Sequence, residues 1–135
     1  ISFSLKNIYD GVYSLTGTML RAGDPVLSGP FGPYERNFVT SGANSVQFEL
    51  GAQYLWANGS GSALPGGFEP NFLIDPGTLQ VTSITSPNGA ISNVTGTGYP
   101  QYYDPVTRII YYEFTWGAGP TARLSTGQAK YERPR

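Results

Sequence analysis

The chain reads as an all-β protein, an antiparallel up-and-down barrel of about eight strands, with a two-sheet sandwich as the alternative. Three observations predict it. The chain has 18 glycines and 11 prolines among 135 residues, and turn signals divide it at intervals of roughly 8–12 residues. Between them apolar residues alternate with period two, and no stretch sustains the 3.6-residue period of a helix. Ten tyrosines, seven phenylalanines and two tryptophans supply the bulky residues that suit a pleated, half-buried surface. A sequential meander of this size removes its unpaired edges best by closing on itself.

The strands follow in order. Residues 6–21 form a long first strand, with Gly11, Tyr13, Leu15, Gly17 and Met19 on one face. Its glycines suit a bend or a close backbone approach. Residues 23–33, with three prolines and three glycines, form a loop that cannot pair continuously. Leu27 and Phe31 would make it a flap over one barrel end. Residues 34–40 and 45–50 make a hairpin around Ser41-Gly42-Ala43-Asn44, with Val46, Phe48 and Leu50 inward. Residues 53–57 continue the sheet or leave it, and residues 58–67 are a flexible loop by composition. Phe72 and Ile74 share one face of the next strand, residues 68–75. Asp75-Pro76-Gly77-Thr78 turns into residues 79–85, with Leu79 and Val81 inward. Ser86-Pro87-Asn88-Gly89 turns again, and residues 90–95 are expected to pair back.

The strongest strand, residues 108–116, follows the turn Asp104-Pro105-Val106-Thr107. In that turn Pro105 pre-sets φ and the Asp104 carboxylate accepts from backbone N–H groups. Ile110, Tyr112, Phe114 and Trp116 form its inner face; Ile109, Tyr111, Glu113 and Thr115 form its outer face. Residues 122–133 close the barrel. The domain spans residues 1–135, and Ile1 reads as a boundary within a longer protein.

Composition excludes several function classes. The chain has no cysteine and no histidine, so it lacks disulfides, thiolate nucleophiles, His-based triads and the usual zinc ligands. Eight basic and nine acidic residues give a net charge of −1, no footprint for nucleic acid or an anionic membrane. No apolar run approaches the length of about 20 residues that a membrane helix needs. Carboxylates are the remaining acids and bases: Glu35 and Glu49 lie on neighbouring strands and Glu113 on the strongest one, but Glu49 and Glu113 fall on outer faces, where a carboxylate is usually a solubilising group. Asp10, Asp24, Asp75 and Asp104 adjoin Gly or Pro, where turn capping explains them. No calcium-loop spacing or phosphate-binding glycine motif is present. The reading is non-enzymatic, with no cofactor and no metal.

Three features carry a family resemblance. They are Ile8-Tyr9-Asp10-Gly11-Val12-Tyr13-Ser14-Leu15-Thr16-Gly17, the hairpin Tyr102-Tyr103-Asp104-Pro105-Val106-Thr107, and the closing Lys130-Tyr131-Glu132-Arg133. Together they resemble the C-terminal lipocalin-like barrel domain of Bacteroidota cell-surface lipoproteins, a family of unknown function often encoded with glycan-import machinery. The resemblance implies a lipid-anchored outer-membrane protein, extracellular or periplasm-facing, with the lipidated Cys upstream of Ile1. It supplies no catalytic residues.

Aromatic side chains are the candidates for ligand binding, because exposed rings at a barrel mouth stack on sugar faces. Tyr54, Trp56, Phe31 and Tyr102 are the candidates, with Trp56 first because a flexible loop follows it. Trp116 is assigned to the core. The leading expectation is a carbohydrate-related binding or accessory module whose partner is a polysaccharide or oligosaccharide. Alternatives are a structural or adhesion spacer, or a carrier of a small apolar ligand.

Overall fold

The computed structural model describes residues 5–25, 28–49, 53–55, 61–63, 69–94, 96–117 and 122–135. All its regular structure is β. The main sheet holds β1 (Gly11–Arg21), β2 (Gly29–Gly42), β3 (Ser45–Phe48), β6 (Asn71–Ile74), β7 (Val81–Thr85), β8 (Ile91–Asn93), β9 (Tyr103–Asp104), β10 (Ile109–Trp116) and β11 (Arg123–Arg133). Neighbours run β7-β6-β3-β2-β1-β11-β10-β8, with β9 also on β10. An antiparallel bridge from Gln80 to Tyr102 brings the β7 side back to β9. The result is a nearly closed barrel with eight wall positions, not a sandwich. A separate hairpin, β4 (Gln53–Leu55) on β5 (Gly61–Ala63), leaves the wall.

Side chains fill the interior, among them the expected inward Val46, Phe48, Val81, Ile110, Tyr112, Phe114 and Trp116, whereas Leu79 is half-buried and Leu50 lies outside the described residues. Tyr13, Leu15, Phe38, Val46, Phe72, Ile74, Ile110, Tyr112 and Phe114 are fully buried. Rings form a chain across the lumen: Phe38 to Phe72 at 5.7 Å, Phe72 to Tyr112 at 5.0 Å, Tyr112 to Phe114 at 5.8 Å and Phe114 to Trp116 at 5.5 Å. Burying each such ring contributes about 1.5–3 kcal/mol. Close packing is possible because Gly17 faces Gly127 across β1 and β11. A Cβ on Gly17 would come within 2.8 Å of Phe31, and one on Gly127 within 2.6 Å of the Tyr112 hydroxyl.

Four sequence expectations are corrected. The first strand begins at Gly11, and residues 5–10 cross the barrel end instead. There Tyr9 is buried, its carbonyl accepting from the Tyr13 hydroxyl at 2.6 Å. Residues 29–33 do pair: β2 starts at Gly29, and Phe31 lies opposite Gly17. Two conditions permit this. β3 pairs only with the Phe38–Gly42 end of β2, so Pro30 and Pro33 lie where β1 is the strand's paired neighbour. The extra residue is absorbed in a bulge at Gly32, whose φ is 81° and where a Cβ would meet the Leu15 carbonyl. Leu79 sits at a turn with φ 62°, and β7 begins only at Val81. Residues 91–93 pair with the end of β10, Ile91 opposite Trp116, and not back onto β7.

The two barrel ends differ. One carries tight connections: the β2–β3 turn, the β9–β10 turn and residues 75–79. At the other lie the end of β1 and the start of β2, the end of β3 and the start of β6, the turn of residues 86–90, and the end of β10 and the start of β11. The segment between β3 and β6 leaves and returns at one point, where the Phe48 N–H donates to the Pro70 carbonyl at 3.0 Å.

Candidate functional site

The expected binding residues go to different places. Tyr54 lies in β4, in the hairpin that leaves the wall at the loop end, and its side chain is outside the described residues. Trp56 lies outside them as well. Phe31 is 2 % exposed and packs in the core, so it is an inner-wall residue and not part of a flap. Tyr102 stands on the outer wall, half-buried. Trp116 is buried, as expected.

Tyr102 does not stand alone. The turn of residues 104–108 sets its register: Tyr102 and Tyr111 exchange both backbone hydrogen bonds, at 3.1 and 2.9 Å. Their rings stack with centroids 5.0 Å apart and planes at 17°. Tyr102 bridges to Gln80 on one side, and Tyr111 pairs with Gln128 on the other. Gln80 and Gln128 are exposed. Four strand positions thus place Gln80, Tyr102, Tyr111 and Gln128 in one row across the outer wall.

A strap of residues 96–101 borders that row. The Tyr99 hydroxyl donates to the Gly127 carbonyl at 3.0 Å, and burial, then the nearby Tyr111 and Glu113, push its phenol up. The Gln101 amide donates to the Val94 carbonyl at 2.6 Å, and its oxygen accepts from the Glu113 N–H at 3.1 Å. Glu113 faces outward, as parity requires, yet it is only 4 % exposed because the strap covers it. Its carboxylate accepts from the Thr97 hydroxyl at 2.5 Å and the Thr126 hydroxyl at 2.6 Å. Half-buried aromatic rings beside amides and hydroxyls suit a ligand that is apolar on one face and rich in hydroxyls at its edges.

Four other carboxylates hold structure. Glu35 forms a bidentate pair with Arg133 at 2.8 and 2.6 Å, and those hydrogen bonds hold its carboxyl below the usual range. Glu49 accepts from the Asn37 amide at 2.9 Å. Asp75 and Asp104 cap equivalent turns, each accepting from the N–H groups two and three residues ahead. Among the described residues, no group of three His, Cys, Asp or Glu side chains could hold a metal ion.

No protein-family model, curated protein or solved structure matches this chain. The candidate site therefore stands on geometry alone. Tyr99, Tyr111, Gln80 and Gln128 were not singled out from the sequence. Tyr111 was legible in principle, since it is an outward aromatic on the strand that follows the Asp104 turn. Tyr99 was not, because only the folded strap brings it to the wall.

Proposed function

We propose that this barrel is a non-catalytic, carbohydrate-binding accessory module. In this reading it belongs to a lipid-anchored surface protein of the outer membrane, where it faces the exterior or the periplasm. The observation that carries the binding reading is the outer-wall row Gln80, Tyr102, Tyr111, Gln128. Its stacked tyrosines offer apolar rings to the C–H face of a sugar, and the flanking amides reach ring hydroxyls. The placement rests on the resemblance to lipoprotein barrel domains. Tyr54 and Trp56, between β3 and β6 in the sequence, are a second aromatic candidate. The non-catalytic part is supported by the carboxylates, whose hydrogen bonds close turns, strand pairs and the strap.

A packed lumen argues against a carrier of apolar ligands, because the Phe72 and Tyr112 rings meet where such a ligand would sit. Glycan-array screening followed by calorimetry tests the proposal. Binding that falls at least about tenfold in Tyr102→Ala or Tyr111→Ala supports the wall, as truncating an anchor ring commonly costs this much. Loss only in Trp56→Ala or Tyr54→Ala moves the site to the loop end. Absence of binding to any glycan leaves the spacer reading standing.

A further inference from the structure

The row on the outer wall does not end at Gln128. Thr16 on β1 is the cross-strand partner of Gln128, so Gln80, Tyr102, Tyr111, Gln128 and Thr16 hold successive strand positions at one level of the wall. None of the five is charged, and Gln80, Gln128 and Thr16 are exposed. Among the described residues, none of these five side chains has a hydrogen-bond partner, so their amides and hydroxyls are open to a ligand. The level toward the tight turns holds Ile109, Lys130 and Ser14; the level on the other side holds Glu113, Thr126 and Thr18. The strap lies over Glu113, which is why that outward carboxylate is buried.

Spacing and shape then select a ligand. Neighbouring strands lie about 4.8 Å apart, so the four positions from Gln80 to Gln128 span about 14 Å. One strand spacing is close to the length of one sugar unit in an extended chain, whereas a coiled chain turns away from such a line. The outside of a barrel is convex and cannot enclose a sugar ring as a pocket does, so affinity has to accumulate along the row. The same curvature carries a straight chain off the surface within a few strands, which confines contact to the stretch between Gln80 and Thr16. On one side the strap stands above the wall as a ledge. Tyr99 is fixed there beside Tyr111, its hydroxyl on the Gly127 carbonyl at 3.0 Å.

We propose that this row takes the interior of a neutral, extended polysaccharide laid across the strands, with about three sugar units in contact and the strap blocking substituents on one edge of the chain. The stacked tyrosines carry the middle unit. Gln80 and Gln128, each with two donors and an acceptor, take hydroxyls of the units on either side. The absence of a cation or carboxylate from the row leaves nothing to select a charged sugar. This inference rests on the carbohydrate reading above and names its substrate class.

Calorimetry with cello-, xylo- and manno-oligosaccharides, from the monosaccharide to the hexasaccharide, tests this. Malto-oligosaccharides serve as the coiled series and oligogalacturonates as the charged one. In at least one extended neutral series, affinity should rise about tenfold or more from disaccharide to trisaccharide and change little beyond the tetrasaccharide. Gln80→Ala and Gln128→Ala, at exposed positions, should each bring the trisaccharide down to the affinity of the disaccharide. Disaccharide binding should change far less, because the other glutamine still serves it; a merely structural role would not produce that length dependence. Tyr99→Ala should raise the affinity of a galactosyl-branched mannotetraose relative to the linear one, as the ledge recedes. Monosaccharide binding as tight as trisaccharide binding, or a preference for the coiled or charged series, overturns the extended-chain site while leaving the carbohydrate reading in place. Length-dependent binding that is untouched in both glutamine variants but lost in Trp56→Ala overturns it as well. Absence of binding to every saccharide sinks the carbohydrate reading and this inference with it.

Discussion

The Asp10 carboxylate and Thr40 are joined by two hydrogen bonds of 2.7 Å, one from the Thr40 N–H and one from its hydroxyl. Arg135 adds a third contact, Nε to Oδ1 at 3.1 Å, and the Asp10 side chain is 1 % exposed. This cluster ties the segment before β1 and the chain's last residue to β2 at the tight-turn end. Burial alone would raise the Asp10 pKa; the bonds from Arg135 and Thr40 outweigh it and hold the carboxyl below its usual value.

Because the folded pKa is the lower one, the stabilisation from Asp10 is present above its unfolded value of about 3.9 and is lost as pH falls through the folded pKa. Asp10→Asn should cost about 3–5 kcal/mol at neutral pH, since it leaves the groups around a buried ion pair unmatched. The cost should shrink as pH drops below about 4, where the wild-type carboxyl also protonates. Urea denaturation of both proteins across that range measures it; a penalty independent of pH would refute the role.

Gly17 and Gly127 should respond unequally to alanine. The new methyl at Gly127 meets the Tyr112 ring, whereas at Gly17 it also meets the Thr126 carbonyl oxygen and the Gly127 Cα. Side chains yield more readily than backbone, so Gly127→Ala should cost about 1–3 kcal/mol, the usual range for overpacking. Gly17→Ala should cost more. Equal midpoints in denaturant would contradict this packing.

How legible was all this? The inner wall was, because period-two alternation through Ile110, Tyr112, Phe114 and Trp116 has one physical solution when one face is buried. The Asp-Pro turns were too, since their chemistry is local. Residues 29–33 were misread because proline's missing donor matters only if a partner strand needs it, and that depends on where β3 ends. Residues 91–93 were misplaced for a related reason: a turn fixes a reversal, not the neighbour that follows. Tyr102 itself lies on the outer wall, bridged to Gln80. Its companions Gln80 and Tyr99 arrive from strands and a strap whose register no local pattern encodes.

The two turns share one design. Residues 75–79 and 104–108 read Asp-Pro-X-Thr-X, and the last residue of each, Leu79 or Arg108, has φ near 60°. In each, that residue's N–H donates to the Asp carbonyl at 2.7 Å. Hydrogen bonds to the carboxylate, from Thr78 and Gly77 in one turn and chiefly from Val106 in the other, lower both pKa values. Amide shifts of Gly77, Thr78, Val106 and Thr107 should therefore titrate together with their aspartates, at midpoints below about 3.9. Midpoints at or above that value would show that the caps do not form in solution.

Phe72 is the hub of the lumen, within 5.0–6.5 Å of the Phe38, Phe48, Tyr112 and Phe114 rings. Phe72→Ala should cost about 3–5 kcal/mol and leave a cavity that the wall cannot collapse to fill. If the lumen is solid in the wild type, a fluorescent fatty acid should bind the variant and not the parent. Uptake by the parent would revive the carrier reading.

Glu113 decides whether the strap beside the tyrosines is held. Its carboxylate receives the Thr97 and Thr126 hydroxyls, and its N–H reaches Gln101. Glu113→Gln keeps the backbone bond but turns one acceptor oxygen into an amide donor, so one threonine hydroxyl must rotate to accept and both side-chain bonds lose their charge assistance. Weakening hydrogen bonds to a charged group costs about 1–3 kcal/mol, and here the loss should appear locally. Hydrogen exchange at residues 97, 99 and 101 should accelerate, while Tyr111 and Tyr112, fixed by their strand pairing, keep their protection. Any glycan affinity that resides in the Tyr102–Tyr111 pair should then fall less than it does in Tyr102→Ala. If affinity vanishes in Glu113→Gln with the fold intact, the carboxylate itself contacts the ligand and the wall site extends under the strap.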